Sequence, residues 1–146
     1  LREFIKGIKK HSIQNPSAVL GGSTAGIFGE AGHADYAASK SAAIYGLMLS
    51  MKNEMTRVSL QARINAVCPS WVLTPMADSL VEDSEAVKKV LQTVPLRKLG
   101  KPTDVASSIL FLASSALSGH MSGQIVTLAG GMEGRVLYER NEIDLK

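Results

Sequence analysis

The order of the apolar runs constrains this chain most. Ala18-Val19-Leu20 is a short buried-type run that exits into glycines. Arg63-Ile64-Asn65-Ala66-Val67-Cys68 is a second, ended by Pro69, which cannot donate to a sheet ladder. Between them, Asp35 to about Val58 turns to alanine, methionine and leucine without a proline, and places Ile44, Leu47, Met48, Met51 and Met55 on one helical stripe. Strand, long helix, strand is the unit that joins parallel neighbours, because a parallel pair needs a long crossover.

The flanking segments extend the pattern. Leu1, Phe4, Ile5 and Ile8 recur at helical spacing, so residues 1–12 read as the end of an amphipathic helix closed by Pro16. The glycines after Leu20 open a loop to about His33. Residues 75–96 carry two weak helical patterns, broken near Asp83-Ser84 and stopped at Pro95, which could form a flap. Pro102 and Thr103 start another helix, with Asp104 favourable to its dipole, running through Val105, Ile109, Leu110 and Leu112. A third strand, Gln124 to Leu128, leads into Gly130-Gly131, and a polar tail follows from Gly134. The expected class is α/β: one layered domain with a parallel sheet covered on both faces.

Composition excludes several function classes. With 146 residues, 45% hydrophobic and 20% charged, the chain is globular in character. Its single cysteine, Cys68, excludes an intrachain disulfide and a Cys-rich metal site, and fits a reducing, cytoplasmic setting. No apolar run is long enough to span a membrane, and the charged N-terminal residues do not make a signal-peptide core. Arg2, Lys6, Lys9, Lys10 and His11 cluster, and the net charge is +3 with pI near 9.1. No aromatic or glycine interleaving accompanies them, so they read as a solvated helix face and not a nucleic-acid surface. His11, His33 and His120 are isolated and suggest no metal site. The chain begins at Leu1 and reads as a piece of something longer.

The stretch Ser17-Ala-Val-Leu-Gly-Gly-Ser-Thr-Ala-Gly26 resembles a phosphate-cradling loop but fails as one. Ser23 stands where a dinucleotide loop needs glycine, the following Ile27-Phe-Gly-Glu-Ala-Gly32 is a poor helix start, and no acidic residue closes a neighbouring strand. Tyr36 and Lys40 offer different chemistry. Four residues apart on a helix, they share a face. A tyrosine titrates near 10, so proton exchange near neutral pH asks for a fall of about three pH units, about 4 kcal/mol. A cation about 4 Å away, at an effective dielectric of about 20, supplies about 4 kcal/mol. Lys40 would therefore favour the phenolate, and a hydroxyl from Ser23 could hydrogen-bond a carbonyl or alkoxide oxygen as charge develops on it. These are the parts for moving a proton onto or off an alcohol oxygen. Alone, a Tyr-x-x-x-Lys pair is more often a surface pair.

The surrounding motifs raise it above that. STAG at Ser23 to Gly26, YAASK at Tyr36 to Lys40 with the serine thirteen residues before the tyrosine, and INAVCPSWVLTPM at Ile64 to Met76 occur in order. PLRKLGKPTDVA at Pro95 to Ala106, FLAS at Phe111 to Ser114 and SGQIVTLAGG at Ser122 to Gly131 follow. With them the sequence closely resembles the C-terminal half of a classical short-chain dehydrogenase/reductase.

The resemblance implies strands five to seven of a Rossmann-type doubly wound sheet with flanking helices. Residues 1–146 would then be a partial domain lacking the N-terminal half that binds the cofactor's phosphates. It further implies an NAD or NADP cofactor, hydride transfer between a carbonyl and a secondary alcohol, and a homodimer or homotetramer as the full-length protein. By position, Tyr36 matches the catalytic acid/base, Lys40 the residue that lowers its pKa and binds nicotinamide-ribose hydroxyls, and Ser23 the hydroxyl that positions the substrate oxygen. Pro69, Val72 and Thr74 match the loop that holds the nicotinamide carboxamide. Ile27, Phe28 and Trp71 to Leu73 would border a small-molecule carbonyl or alcohol substrate, with the flap beginning at Met76.

Some positions depart from the family pattern. Ser70 stands where glycine is usual after the proline, Gly21-Gly22 precede the serine, and His120 sits where an aromatic is frequent. The glycine-rich loop, the residue choosing NAD or NADP and the catalytic asparagine would all precede residue 1. Two functions follow: an oxidoreductase whose active site is only half present here, this chain alone being inactive, or a non-catalytic relative serving as a binding or subunit module.

Overall fold

The structure, a computed structural model, describes residues 1–74, 84–134 and 143. Helix α1 (Arg2–His11) leads into strand β1 (Ser17–Gly21). A one-turn helix α2 (Ala25–Phe28) follows, then α3 (Ala34–Ser41), which continues through a π-helical segment (Ala42–Met48) into α4 (Leu49–Glu54) and a 3-10 turn (Met55–Arg57). Strand β2 (Arg63–Pro69), helices α5 (Ser84–Gln92), α6 (Pro102–Ala113) and α7 (Ser115–Ser118), and strand β3 (Ile125–Leu128) complete the order. The three strands form one parallel sheet in the order β1-β2-β3. Ser17 lies opposite Arg63, Gly21 opposite Val67, and Pro69 opposite Leu128. Among the described residues β1 pairs on one side only and is a sheet edge.

Alternation along the strands assigns the two faces. Ala18 and Leu20 of β1 and Ile64, Ala66 and Cys68 of β2 point to one face, where Ile8 of α1 and Ile44, Met48, Met51 and Met55 of the long helix cover them. Ile44, Met48 and Met55 are fully buried, each such side chain contributing roughly 1.5–3 kcal/mol. The opposite face receives α6, which packs on β1 and β2.

Arg63 joins that layer to the sheet. Buried at 4% exposure, its guanidinium donates to the carbonyls of Leu112 at 2.9 Å, Ala113 at 3.2 Å and Ser118 at 3.0 Å. Leu112 and Ala113 are the last residues of α6, where helix carbonyls lack intrahelical partners and carry partial negative charge, so the cation, together with the Ser17 and Ser118 hydroxyls on Leu112 O, satisfies what the helix leaves open. Asn65, also buried, donates to Met121 O at 2.9 Å and accepts from Gln124 N at 2.9 Å, fixing the entry to β3. At the other end of α6, the Lys101 N–H donates to the Asp104 carboxylate at 2.8 Å.

Two sequence expectations are corrected. The segment after Gly26 does form a helical turn, because Phe28 N–H reaches Thr24 O at 2.8 Å and Gly29 N–H reaches Ala25 O at 2.9 Å. Leu47 is not on the buried stripe: it is 46% exposed, because the wider π turn places Met48, and not Leu47, one turn beyond Ile44. The helix expected from Pro102 through Leu112 is present as α6, on which Leu112 is fully buried and Leu110 is 70% exposed. The expected flap falls partly outside the described residues, and its described part is α5. The tail beyond Gly134 lies outside them except for Ile143.

Candidate active site

The site forms at the C-terminal ends of β1 and β2, where open parallel sheets bind ligands. Past β1 the ladder continues irregularly: Gly22 N–H donates to Val67 O at 2.8 Å and Thr24 N–H to Pro69 O at 3.0 Å. Ser23 is thereby held between two fixed neighbours, beside the end of β2. Its Oγ accepts the Ala25 N–H at 3.1 Å, at the start of α2. A hydroxyl that accepts one such bond keeps its proton to donate outward.

Gly26 brings the second element in. A Cβ there would lie 2.8 Å from the carbonyl carbon of Lys40, 2.8 Å from Ser41 N and 2.9 Å from Lys40 Cβ. Only glycine lets α2 touch the α3 backbone this closely, and the contact is made at the turn that carries Lys40. Lys40 Nζ then reaches Gly21 O at 3.0 Å, two residues before Ser23. The same ammonium sits over the Tyr36 ring, 5.6 Å from its centroid. Sequence spacing put the charge beside the phenolic oxygen. Here the Gly21 carbonyl draws it over the ring instead, in an interaction of about 0.5–1 kcal/mol at a partly exposed position. Tyr36 is 43% exposed and its hydroxyl has no hydrogen-bond partner among the described residues.

The loop after β2 is held from both sides. Pro69 ends the strand with its carbonyl on Thr24 N–H, and Ser70 N–H donates to Leu128 O at 3.0 Å. Val72 bridges to Gly100, with Gly100 N–H on Trp71 O and Leu73 N–H on Gly100 O, both at 2.9 Å. Ser70 has no positive φ, so the backbone at this position does not call for glycine. Val72 and Thr74 are half-buried on this loop, and Trp71 is 37% exposed. Phe28 is 42% exposed, with Gly134 laid against its side chain. Ile27 turns the other way and packs against the core beneath the sheet.

Sequence reasoning missed Gly22 and Cys68. The space where Gly22 would carry a Cβ is taken by the Cys68 thiol, with Ile44 Cγ2 3.0 Å from the same point. Burial pushes the Cys68 thiol pKa up, partly offset by the Ser23 backbone N–H and by the charge of Lys40. His11, His33 and His120 are all exposed, and no group of three potential metal ligands occurs among the described residues.

Ser23, just past the end of β1, and Tyr36 and Lys40, on α3, are thus brought to the C-terminal end of a parallel sheet. Residues 2–133 match the family profile described as enoyl-(acyl carrier protein) reductase. The chain is 39% identical over 119 residues to the 3-oxoacyl-[acyl-carrier-protein] reductase of Thermotoga maritima, covering 82% of this chain and 46% of that protein. It is 36% identical over 121 residues to the human (3R)-3-hydroxyacyl-CoA dehydrogenase, covering 83% and 42%. The crystal structure of 3-oxoacyl-[acyl-carrier protein] reductase from Brucella melitensis superposes with a TM-score of 0.77 at 30% identity, covering 90% of this chain and 46% of that one. A structure from Agrobacterium tumefaciens, proposed as a 2-deoxy-D-gluconate 3-dehydrogenase and solved with bound NADP, gives 0.82 at 25% identity, covering 92% and 52%.

The chain belongs to the short-chain dehydrogenase/reductase family. It spans about half the length of the relatives it matches. No helix among the described residues is long and apolar enough to cross a membrane.

Proposed function

We propose that the protein is an NAD(P)-dependent oxidoreductase that interconverts a carbonyl and a secondary alcohol, with Ser23, Tyr36 and Lys40 as its working groups. The observation that carries this reading is the placement of Lys40, which meets Gly21 O at 3.0 Å and the Tyr36 ring at 5.6 Å, on the strand end that leads into Ser23. In the reductive direction the Tyr36 hydroxyl gives its proton to the carbonyl oxygen, Ser23 Oγ–H donates to the same oxygen, and Lys40 balances the charge left on the phenol.

The donor set suits a nicotinamide nucleotide, which when bound supplies or accepts the hydride. An ammonium has three donors, and Gly21 O takes one from Lys40, leaving two for ribose hydroxyls. Pro69, Val72 and Thr74, on a loop tied to Thr24, Leu128 and Gly100, would face the carboxamide end. Phe28 and Trp71 would border the substrate, and Ile27 supports that wall from the core side.

The chain is also read as the C-terminal part of a longer catalytic unit. The free edge of β1 and the half-length match to its relatives support this, the upstream half supplying the cofactor's phosphate site. Tyr45 and Leu47, 47% and 46% exposed on the long helix, are a surface by which copies would pair into a homodimer or homotetramer, which light scattering at micromolar concentration tests. A half-length match equally suits a non-catalytic family member acting as a binding module. Replacing Tyr36 by Phe separates the two. An enzyme loses turnover and keeps cofactor affinity, whereas a binding module is unaffected in either. A 3-oxoacyl-[acyl-carrier-protein] is the substrate to assay first, because it is named for the Thermotoga and Brucella relatives.

A further inference from the structure

We infer that Cys68 is a positioning residue for the Ser23 hydroxyl, and that it acts as one half of a size-matched pair with Gly22. Three elements converge at this point: the exit of β1 at Gly22, the end of β2 at Cys68, and the first turn of the π segment at Ile44. A Cβ on residue 22 would collide with the Cys68 sulfur and lie 3.0 Å from Ile44 Cγ2. The thiol therefore occupies the volume that a side chain at position 22 would need. Ile44 lies one turn beyond Lys40 on the same continuous helix, so the sulfur acts as the spacer between the strand end that presents Ser23 and the helix that presents Tyr36 and Lys40.

Backbone bonds make that spacing matter. Gly22 and Thr24 are pinned to Val67 and Pro69, the neighbours of Cys68 on either side, so Ser23 is the one residue of the turn not tied to β2 by its own ladder bond. Its N–H faces the thiol. Cys68 is fully buried, so the sulfur serves as a small apolar filler and weak acceptor, without reaching substrate.

The pair predicts compensation. In the full chain, Gly22→Ala alone overpacks a site bounded by two strands and a helix, lowering Tm by about 3–10 °C. Cys68→Ala alone leaves a gap between Gly22 and Ile44, lowering Tm by about 2–6 °C. In the double variant the new Cβ at position 22 enters the space the sulfur has left, and Tm recovers to within a few degrees of the parent, far above the sum of the two losses. The Ser23 amide cross-peak in a 15N–1H correlation spectrum is the second readout. It moves in Cys68→Ala and returns toward its parent position in Cys68→Ser, whose Oγ refills the space beside Gly22.

This inference takes from the proposed function only that Ser23 is the working hydroxyl. Neither readout requires turnover, so the loss of that reading and the loss of this one are separable. Additive Tm losses in the double variant, or a Ser23 amide equally displaced in the Ala and Ser variants, would overturn it.

Discussion

Gly26 and Lys40 meet backbone to side: a Cβ on Gly26 would sit 2.8 Å from the Lys40 carbonyl carbon, so the turn that follows Ser23 rests directly on the turn that carries the lysine. Two effects oppose each other in Gly26→Ala. Helix propensity favours alanine by about 1 kcal/mol, and overpacking costs about 1–3 kcal/mol. The second wins, because the atoms in the way are main chain of another helix and cannot change rotamer. The expected result is a Tm lower by about 3–6 °C in thermal unfolding, together with weakened cofactor binding as Lys40 is pushed from Gly21 O. Gly21→Ala is the control, since nothing lies within 4 Å of a Cβ there.

Arg63→Met tests the link between sheet and α6. The substitution fills similar volume but abandons the carbonyls of Leu112, Ala113 and Ser118, all in a buried setting. Leu112 O keeps the Ser17 and Ser118 hydroxyls and Ser118 O keeps the Met121 N–H, so the loss comes from the charge-assisted bonds and from Ala113 O; about 2 kcal/mol is expected, read as a lower denaturant midpoint with an unchanged slope.

Stability against pH carries the signature of Cys68. Its thiol pKa is raised above the ordinary value of 9.0, chiefly by burial. Below that value the thiol is neutral in both folded and unfolded chains, and it contributes no pH dependence. As pH rises past it, the unfolded thiol ionises while the folded one holds its proton, so the unfolded chain gains and stability falls. Urea midpoints measured from neutral pH to about pH 10 should fall less steeply in Cys68→Ser than in the parent. Equal slopes would mean that the thiol is solvated in the folded chain.

Much of this architecture was legible in the sequence because its signals are local. The runs at Ala18 to Leu20, Arg63 to Cys68 and Gln124 to Leu128 fall on strands, and the parallel order follows from the helix between them. Tyr36 and Lys40 were readable from spacing on one helix. Leu47 was misassigned because a 3.6-residue period was applied across a π segment, whose wider turn sends position 47 to solvent. The roles of Gly26, Gly22 and Cys68 were not readable, since each depends on a contact with a residue distant in sequence. The role of Arg63 was not readable either, since the carbonyls it meets belong to the end of α6, far along the chain.

The proton transfer proposed for Tyr36 is tested most directly by oxidation of a reduced nicotinamide nucleotide with a 3-oxoacyl-[acyl-carrier-protein], in parent and Tyr36→Phe proteins. Each is assayed alone and joined to the N-terminal half of the Thermotoga maritima relative. The expected result is turnover in the joined parent, a fall of about 10²–10⁴-fold in the joined Tyr36→Phe protein, and the same cofactor-induced rise in Tm for both. Equal turnover in the two joined proteins would contradict it, because some group other than the Tyr36 hydroxyl would then be moving the proton.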